Sequence, residues 1–132
     1  MTKGCRGYIF SRPFLGERVP QHVQNLVIRD YCARKGLAYR LSATEYAMEG
    51  CWMMLQGVLE ELPHLDGIVL YSLFQLPEQD AARLAVYQRV LAAGASLHGA
   101  VEDFALGSED DARRVEDLWL VRRFLARSGQ GE

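Results

Sequence analysis

The sequence predicts a single α/β domain. It should hold a four-stranded parallel sheet in the order 2-1-3-4, with helices on both faces and a further helix at the C-terminus. Three observations predict this. Short β-prone apolar runs alternate with stretches of helical apolar spacing, and such alternation gives parallel strands joined by right-handed crossovers. The run Asp66 to Tyr71 (DGIVLY) is almost continuously apolar, as expected of a strand buried on both faces, so Ile68, Val69 and Leu70 should lie at the sheet's centre. A chain of 132 residues, with 49% hydrophobic and 24% charged residues, suits one domain with its own core. The domain is expected over 1–127, with a disordered tail at 128–132.

Gly7 to Phe10 (GYIF) reads as the first strand, being short, apolar and β-prone. Ser11 to Val19 carries Pro, Gly and three charges and reads as a loop. Pro20 suits a first helical turn, and Val23, Leu26, Val27 and Tyr31 follow at helical spacing until Gly36 ends the helix. Leu37 to Leu41 reads as the second strand and Ser42 to Tyr46 as a polar loop. A second helix is expected from about Ala47 to Glu61, with Met48, Cys51, Trp52, Leu55, Val58 and Leu59 as a wide apolar surface. Trp52, Met53 and Met54 read as core or dimer contacts. After the Asp66 strand, Ser72 to Pro77 is its exit loop. A third helix spans Glu78 to about Ala93, with Ala81, Leu84, Tyr87 and Leu91 inward and Gly94 as its cap. Ser96 to Val101 is a fourth, weaker strand, followed by a loop to Gly107. Ser108 is the N-cap of the last helix, with Glu109, Asp110 and Asp111 at the positive end of its dipole.

Composition excludes several classes. A net charge of −2 argues against a generic basic nucleic-acid surface. Three cysteines, Cys5, Cys32 and Cys51, without a C-x-x-C pair suggest neither a disulfide framework nor a zinc site. Reduced thiols fit a cytoplasmic protein. No apolar run is long enough for a membrane span. There is no G-x-G-x-x-G, no G-x-x-x-x-G-K-[ST] and no G-x-S-x-G, and His22, His64 and His98 show no metal spacing. No cofactor and no metal are expected.

In an open parallel sheet, ligands bind beyond the carboxyl ends of the strands. The loops there hold Ser11, Arg12, Glu17 and Arg18, with Gln21 and His22 one helical turn on. Ser42, Thr44, Glu45 and Tyr46 follow the second strand, Ser72 and Gln75 the third, and Glu102 and Asp103 the fourth. Ser11, His22, Glu45 and Tyr46 are the candidates for proton transfer or orientation. Arg12, Glu17, Arg18, Gln21, Ser42, Ser72 and Gln75 are the candidate ligand contacts. Guanidinium matches phosphate or carboxylate bidentately, so Arg12 and Arg18 point to an anion. Each candidate also has an ordinary structural role open to it. Ser11 suits a turn, His22 a surface, and Glu45 with Glu49 the acidic start of a helix.

The last helix carries Ala112, Val115, Leu118 and Trp119 on one side, enough to cover the sheet, and Leu120, Val121 and Phe124 on another. A helix that is apolar on two sides has something packed against both. A homodimer with Val121 and Phe124 at its interface is therefore expected.

The first hundred residues resemble the catalytic domain of serine recombinases (resolvases and invertases), which implies a flavodoxin-like, resolvase-like fold. Tyr8-Ile9-Phe10-Ser11 and Gln21-His22-Val23-Gln24 take the places of the strand ending in the nucleophilic serine and the helix start that follows. Asp66 to Tyr71 takes the place of the buried strand. Ile9 stands where the family has the arginine two before the serine. Phe74, Gln75 and Glu78 stand at its Asp-Arg-x-x-Arg positions. Phosphodiester attack builds negative charge that needs those cations, so strand exchange is not expected. The chain also resembles a bacterial family called sporadic carbohydrate cluster proteins, through GYIFSRPFLGERVPQHVQNLVIRDYC, LSATEYAMEGC and DGIVLYSLFQLPE, with likeness to about Trp119. That resemblance implies a place in surface polysaccharide and lipopolysaccharide synthesis, and carries no reaction or catalytic residues with it.

Together these give the functional expectation: binding or transforming a phosphorylated or nucleotide-linked sugar, or a related anionic intermediate. The alternatives are a non-catalytic module regulating another enzyme of the pathway, or a degenerate resolvase-like DNA-associated protein. Whether the chain is an enzyme stays open at this level.

Overall fold

The computed structural model describes residues 2–130, with side chains through Arg127. Strand β1 (Cys5–Phe10) leads to helix α1 (Gln21–Lys35), then β2 (Tyr39–Glu45), α2 (Met53–Glu60), β3 (Gly67–Leu70), α3 (Asp80–Ala92), β4 (Ser96–Gly99), β5 (Phe104–Leu106) and α4 (Glu109–Gln130). Single-turn helices at Leu62–His64 and Leu73–Gln75 follow α2 and β3. Of the tail expected at 128–132, the backbone to Gln130 belongs to α4. The side chains from 128 and residues 131–132 lie outside the described residues.

The sheet corrects the expected architecture. It has five strands, ordered β2-β1-β3-β4-β5. The first four are parallel in the predicted order, with β3 central and Ile68, Val69 and Leu70 fully buried. The fifth is antiparallel to β4, pairing Leu97 with Leu106 and Gly99 with Phe104. The expected loop to Gly107 is in fact a hairpin. Asp103, at a φ of 53°, supplies its left-handed turn residue, a conformation that aspartate tolerates better than most. Three residues of β5 are too few to give a readable alternation.

Strand β2 is displaced along the chain by its pairing with β1. Cys5 pairs with Tyr39 and Phe10 with Glu45, so Ser42, Thr44 and Glu45 sit in the strand and not in a loop. The register slips between Arg6 and Tyr8. Gly7 occupies the slip, and a Cβ there would lie 2.1 Å from the Ser42 hydroxyl oxygen. Helix α2 starts at Met53, six residues later than expected. Residues 46–52 form a loop containing Gly50 at a φ of 74°.

Helix α1 covers one sheet face, where Ile28, Tyr31 and Cys32 meet Cys5, Ile9, Val69 and Ala100. Helices α2, α3 and α4 cover the other, where Tyr8, Phe10, Ile68 and Leu70 meet Leu55, Leu59, Val86, Val90, Val115 and Trp119. Two helices are rotated from their expected inner faces. In α1 the buried set is Gln24, Ile28, Tyr31 and Cys32, leaving Leu26 exposed. In α3 it is Arg83, Val86, Tyr87 and Val90, leaving Leu84 exposed. Each rotation turns a polar side chain inward. Gln24 bonds both backbone groups of Phe10, at 3.0 and 2.9 Å, together with the Val19 carbonyl and the Gln75 amide. Arg83 donates to both oxygens of Glu116 at 2.7 Å, to Asp80, and to the Pro77 and Glu78 carbonyls, and stacks 4.3 Å above Trp119. Burial works against its charge, but the bonds to Glu116 and Asp80 outweigh it and raise its pKa. All its N–H groups are satisfied, which is the condition for burying a cation.

The cap of α4 follows the sequence. Asp111 N–H donates to the Ser108 hydroxyl at 3.2 Å, and Gly107 N–H donates to the Asp111 carboxylate at 2.9 Å. Beyond Trp119 every side chain from Leu120 to Arg127 is exposed, with Arg123 still bonded to Asp80 and to the Glu78 carbonyl at the start of α3.

Candidate functional site

The carboxyl ends of β1, β2 and β3 open onto a groove of about 750 Å³ on the α2/α3/α4 side of the sheet. Its walls are aromatic: Phe10 from the end of β1, Phe14 from the loop after it, Trp52 before α2, Phe74 after β3, and Trp119 from α4. Phe10 lies 5.9 Å from Phe14 edge-on and 5.8 Å from Trp52, and Phe74 meets Trp119 at 5.2 Å. Arg12, Glu49, Glu78 and Gln79 supply its polar groups. Small-ligand sites have this character, apolar and aromatic walls with a few polar groups, in a volume range of roughly 300–1,000 Å³.

Glu45 organises the groove's β2 side. It ends β2 and is 1% exposed. Its Oε1 accepts from the Tyr8 hydroxyl at 2.8 Å and Leu55 N–H at 3.1 Å. Its Oε2 accepts from Tyr46 N–H at 3.1 Å and Met54 N–H at 3.0 Å. Met54 and Leu55 lie in the first turn of α2, where the helix dipole favours an anion. Tyr8 has its pKa raised by burial and by its bond to Glu45, and stays a donor. This carboxylate fastens α2 to the sheet.

Arg12 is also buried. Its Nη1 donates to the carbonyls of Tyr46, Met48 and Cys51 at 2.9, 3.0 and 2.9 Å, and its plane lies 4.3 Å from the Phe10 ring centre and 4.7 Å from Trp52. It holds loop 46–52 in place while lining the groove. Ser11 donates its hydroxyl to the Glu45 carbonyl at 2.6 Å. Tyr46 is half exposed on the loop that Arg12 grips.

The remaining predicted residues do not join this cluster. His22 and Gln21 are exposed in the first turn of α1, the helix on the opposite face of the sheet. Glu17 and Arg18 are exposed in the loop after β1, where Phe14 and Glu17 exchange backbone hydrogen bonds at 3.0 Å. Ser42 is bonded to Tyr39 Oη at 2.7 Å within the β2 edge. Ser72 donates to Glu102 at 2.8 Å and accepts from Phe74 N–H at 3.1 Å, and Gln75 bonds Gln24, so both fix the exit of β3 beneath Phe74. Ser11, Arg12, Glu45 and Tyr46 thus come together at the end of β2, where only Arg12 lines the groove, while His22, Gln21 and Arg18 lie elsewhere.

The aromatic wall is what the sequence reading missed. Phe14 and Phe74 stand in loops that follow strands, a signal that was available. Trp52 looked like core, and Trp119 comes from a helix far along the chain. Among the described residues no group of three or more His, Cys, Asp and Glu is placed to hold a metal ion. No helix among them is long and apolar enough to cross a membrane.

No protein-family model and no curated protein matches the chain. Solved structures do match. The N-terminal catalytic domain of TP901-1 integrase superposes with a TM-score of 0.62 at 15% identity, over 92% of this chain and 97% of that one. A resolvase family site-specific recombinase from Streptococcus pneumoniae gives 0.65 at 10% identity, over 96% and 93%. The resolvase-like fold expected from the sequence is therefore the fold observed. At these identities the likeness is one of fold, and fold does not carry function.

Proposed function

We propose that this chain is a cytoplasmic binding domain of bacterial surface carbohydrate synthesis, whose groove takes a phosphorylated or nucleotide-linked sugar. The aromatic groove at the strand ends is the observation that carries this reading. The segments that resemble the carbohydrate cluster family supply much of its lining, including Phe10, Arg12, Phe14, Glu49, Phe74 and Glu78. Arg12 is the cation of the groove, and Arg18, exposed on the same loop, is the second candidate for an anionic group. Binding without chemistry fits the geometry better than catalysis. The Ser11 hydroxyl is engaged, Glu45 is saturated by four donors, and His22 sits across the sheet. Recombinase chemistry is disfavoured further by Ile9, Gln75 and Glu78 at positions where that chemistry needs arginine.

The partner of α4 is a second copy. Leu120, Val121, Phe124 and Leu125 are each more than half exposed on the last turns of α4, which touch their own domain through Arg123 and Asp80.

The test is thermal unfolding with hexose 1-phosphates and nucleotide-linked sugars. A ligand at about a hundred times its Kd stabilises by about 2.7 kcal/mol, so the melting temperature should rise. The Arg12→Ala/Arg18→Ala variant should lose that rise, measured against its own ligand-free baseline. An undiminished rise in the variant removes these arginines from the site, and no rise in the wild type with any of these ligands overturns the reading.

A further inference from the structure

The groove's charge is not that of an anion site throughout. Its single lining cation, Arg12, already directs one nitrogen at three carbonyls and lays its plane against Phe10 and Trp52. Two carboxylates, Glu49 and Glu78, line the same groove. Both are exposed at the groove's rim, and among the described residues neither forms an ion pair or a side-chain hydrogen bond, as holds also for the exposed Glu17, Glu60 and Glu109, while Glu45, Glu61, Glu102 and Glu116 each have partners within the chain. Gln79 stands beside Glu78, and the tryptophan rings stand near the two carboxylates in sequence or space, Trp52 three residues from Glu49 and Trp119 on the same wall as Phe74.

Unpaired carboxylates repel phosphate. They accept hydrogen bonds from hydroxyl groups, and a charged acceptor makes such bonds stronger. Aromatic faces carry negative charge density and attract the slightly positive C–H groups of a saturated ring. A neutral pyranose offers both, hydroxyl donors at its edge and C–H groups on its faces. A free phosphate has no C–H face and brings charge of the same sign as the carboxylates, and a purely apolar ligand would desolvate Glu49 and Glu78 without giving them partners.

We propose that the groove recognises the uncharged pyranose ring of its ligand, packed against the part-exposed rings of Trp52, Phe14 and Phe74, with ring hydroxyls donating to Glu49 and Glu78. This rests on the sugar-binding reading and assigns the groove to the neutral part of the sugar, leaving the anionic group to the Arg12 and Arg18 side.

The chain has two tryptophans, Trp52 and Trp119, and both line the groove, so intrinsic fluorescence reports its occupancy directly. The probes are the methyl pyranosides of glucose, galactose, mannose and N-acetylglucosamine, with inorganic phosphate and the hexose 1-phosphates alongside. At least one neutral pyranoside should shift the emission saturably, and inorganic phosphate should not compete with it. Glu78→Gln, a surface change, should weaken that pyranoside roughly three- to tenfold, the effect of one charge-assisted hydrogen bond made neutral. Trp52→Ala should weaken it further, read through Trp119. The proposal is overturned if every neutral pyranoside leaves the emission unchanged, if phosphate displaces the pyranoside, or if Glu78→Gln and Trp52→Ala both bind as the wild type does. Should the hexose 1-phosphates still raise the melting temperature in those cases, sugar binding stands and only the assignment of the neutral ring to the groove falls.

Discussion

Replacing Glu45 with glutamine should cost far more stability than an exposed carboxylate would. The side chain is 1% exposed and accepts four hydrogen bonds from O–H and N–H donors, with the Cys51 thiol a weaker fifth at 3.9 Å. Glutamine keeps one acceptor oxygen and turns the other into a donor. The better orientation puts the new amide where Oε1 was, because the Tyr8 hydroxyl can reverse and accept from it. Leu55 N–H then loses its partner, and a buried donor left unpaired costs about 1–3 kcal/mol. Loss of the charge at the start of α2 adds about 0.3–2 kcal/mol. The other orientation strands both Tyr46 and Met54 N–H. A total of roughly 2–5 kcal/mol follows, a large fraction of the 5–15 kcal/mol by which domains are typically stable. Equilibrium urea unfolding followed by circular dichroism measures it, and the melting temperature should fall on the order of 10 °C. Tyr8→Phe, which removes one bond to the charged carboxylate, should cost about 1.5–3 kcal/mol. A loss below about 1 kcal/mol for Glu45→Gln would refute the anchoring role and return Glu45 to the candidates for proton transfer.

Burial, with Lys35 adding a smaller push, lowers the His98 pKa to about 4, while its ring bonds Tyr31 at 2.7 Å and Ser96 at 2.8 Å. The unfolded chain therefore binds the extra proton first. Stability is full above about pH 6.5 and declines towards pH 4, by up to about 3 kcal/mol, in urea titrations at stepped pH, and His98→Gln should flatten that decline. Gly7→Ala sets a Cβ 2.1 Å from the Ser42 hydroxyl oxygen and should cost about 1–3 kcal/mol, part of it recovered in Gly7→Ala/Ser42→Gly by the same assay. Sedimentation at tens of micromolar, on the order suited to a weak interface, should show a dimer for the wild type and a monomer for Phe124→Asp. A monomeric wild type removes the pairing of α4.

The alternation of elements, the order of the first four strands and the centrality of Ile68, Val69 and Leu70 could be read from hydrophobic pattern, because burial on both faces of a parallel strand leaves no room for polar residues. The inner faces of α1 and α3 could not. Pattern reading assigns Gln24 and Arg83 to solvent, and only tertiary partners, the Phe10 backbone for one and Glu116 for the other, make their burial favourable. Strand β2 reached Glu45 because Gly7 and Ser42 set the register, an effect that propensity alone does not carry. Of the residues named from the sequence, Arg12 lines the groove, and Ser11, Glu45 and Tyr46 lie beside it. Arg12 and Glu45 looked free to meet a ligand, yet the fold gives both of them partners within the chain. The groove's aromatic walls converge from four separate segments, and convergence of that kind is a property of the fold.

The most direct test of ligand binding in the groove is a ¹H–¹⁵N correlation spectrum recorded with and without a nucleotide-linked hexose. The two indole N–H signals belong to Trp52 and Trp119, and that of Trp119 is buried without a hydrogen-bond partner among the described residues, so it is sensitive to any change in the groove. Both indole signals, with the amides of loop 46–52, should shift saturably, while the amides of α1 stay in place. Shifts confined to the start of α1 and the loop around Arg18, with both indole signals unmoved, would contradict the account.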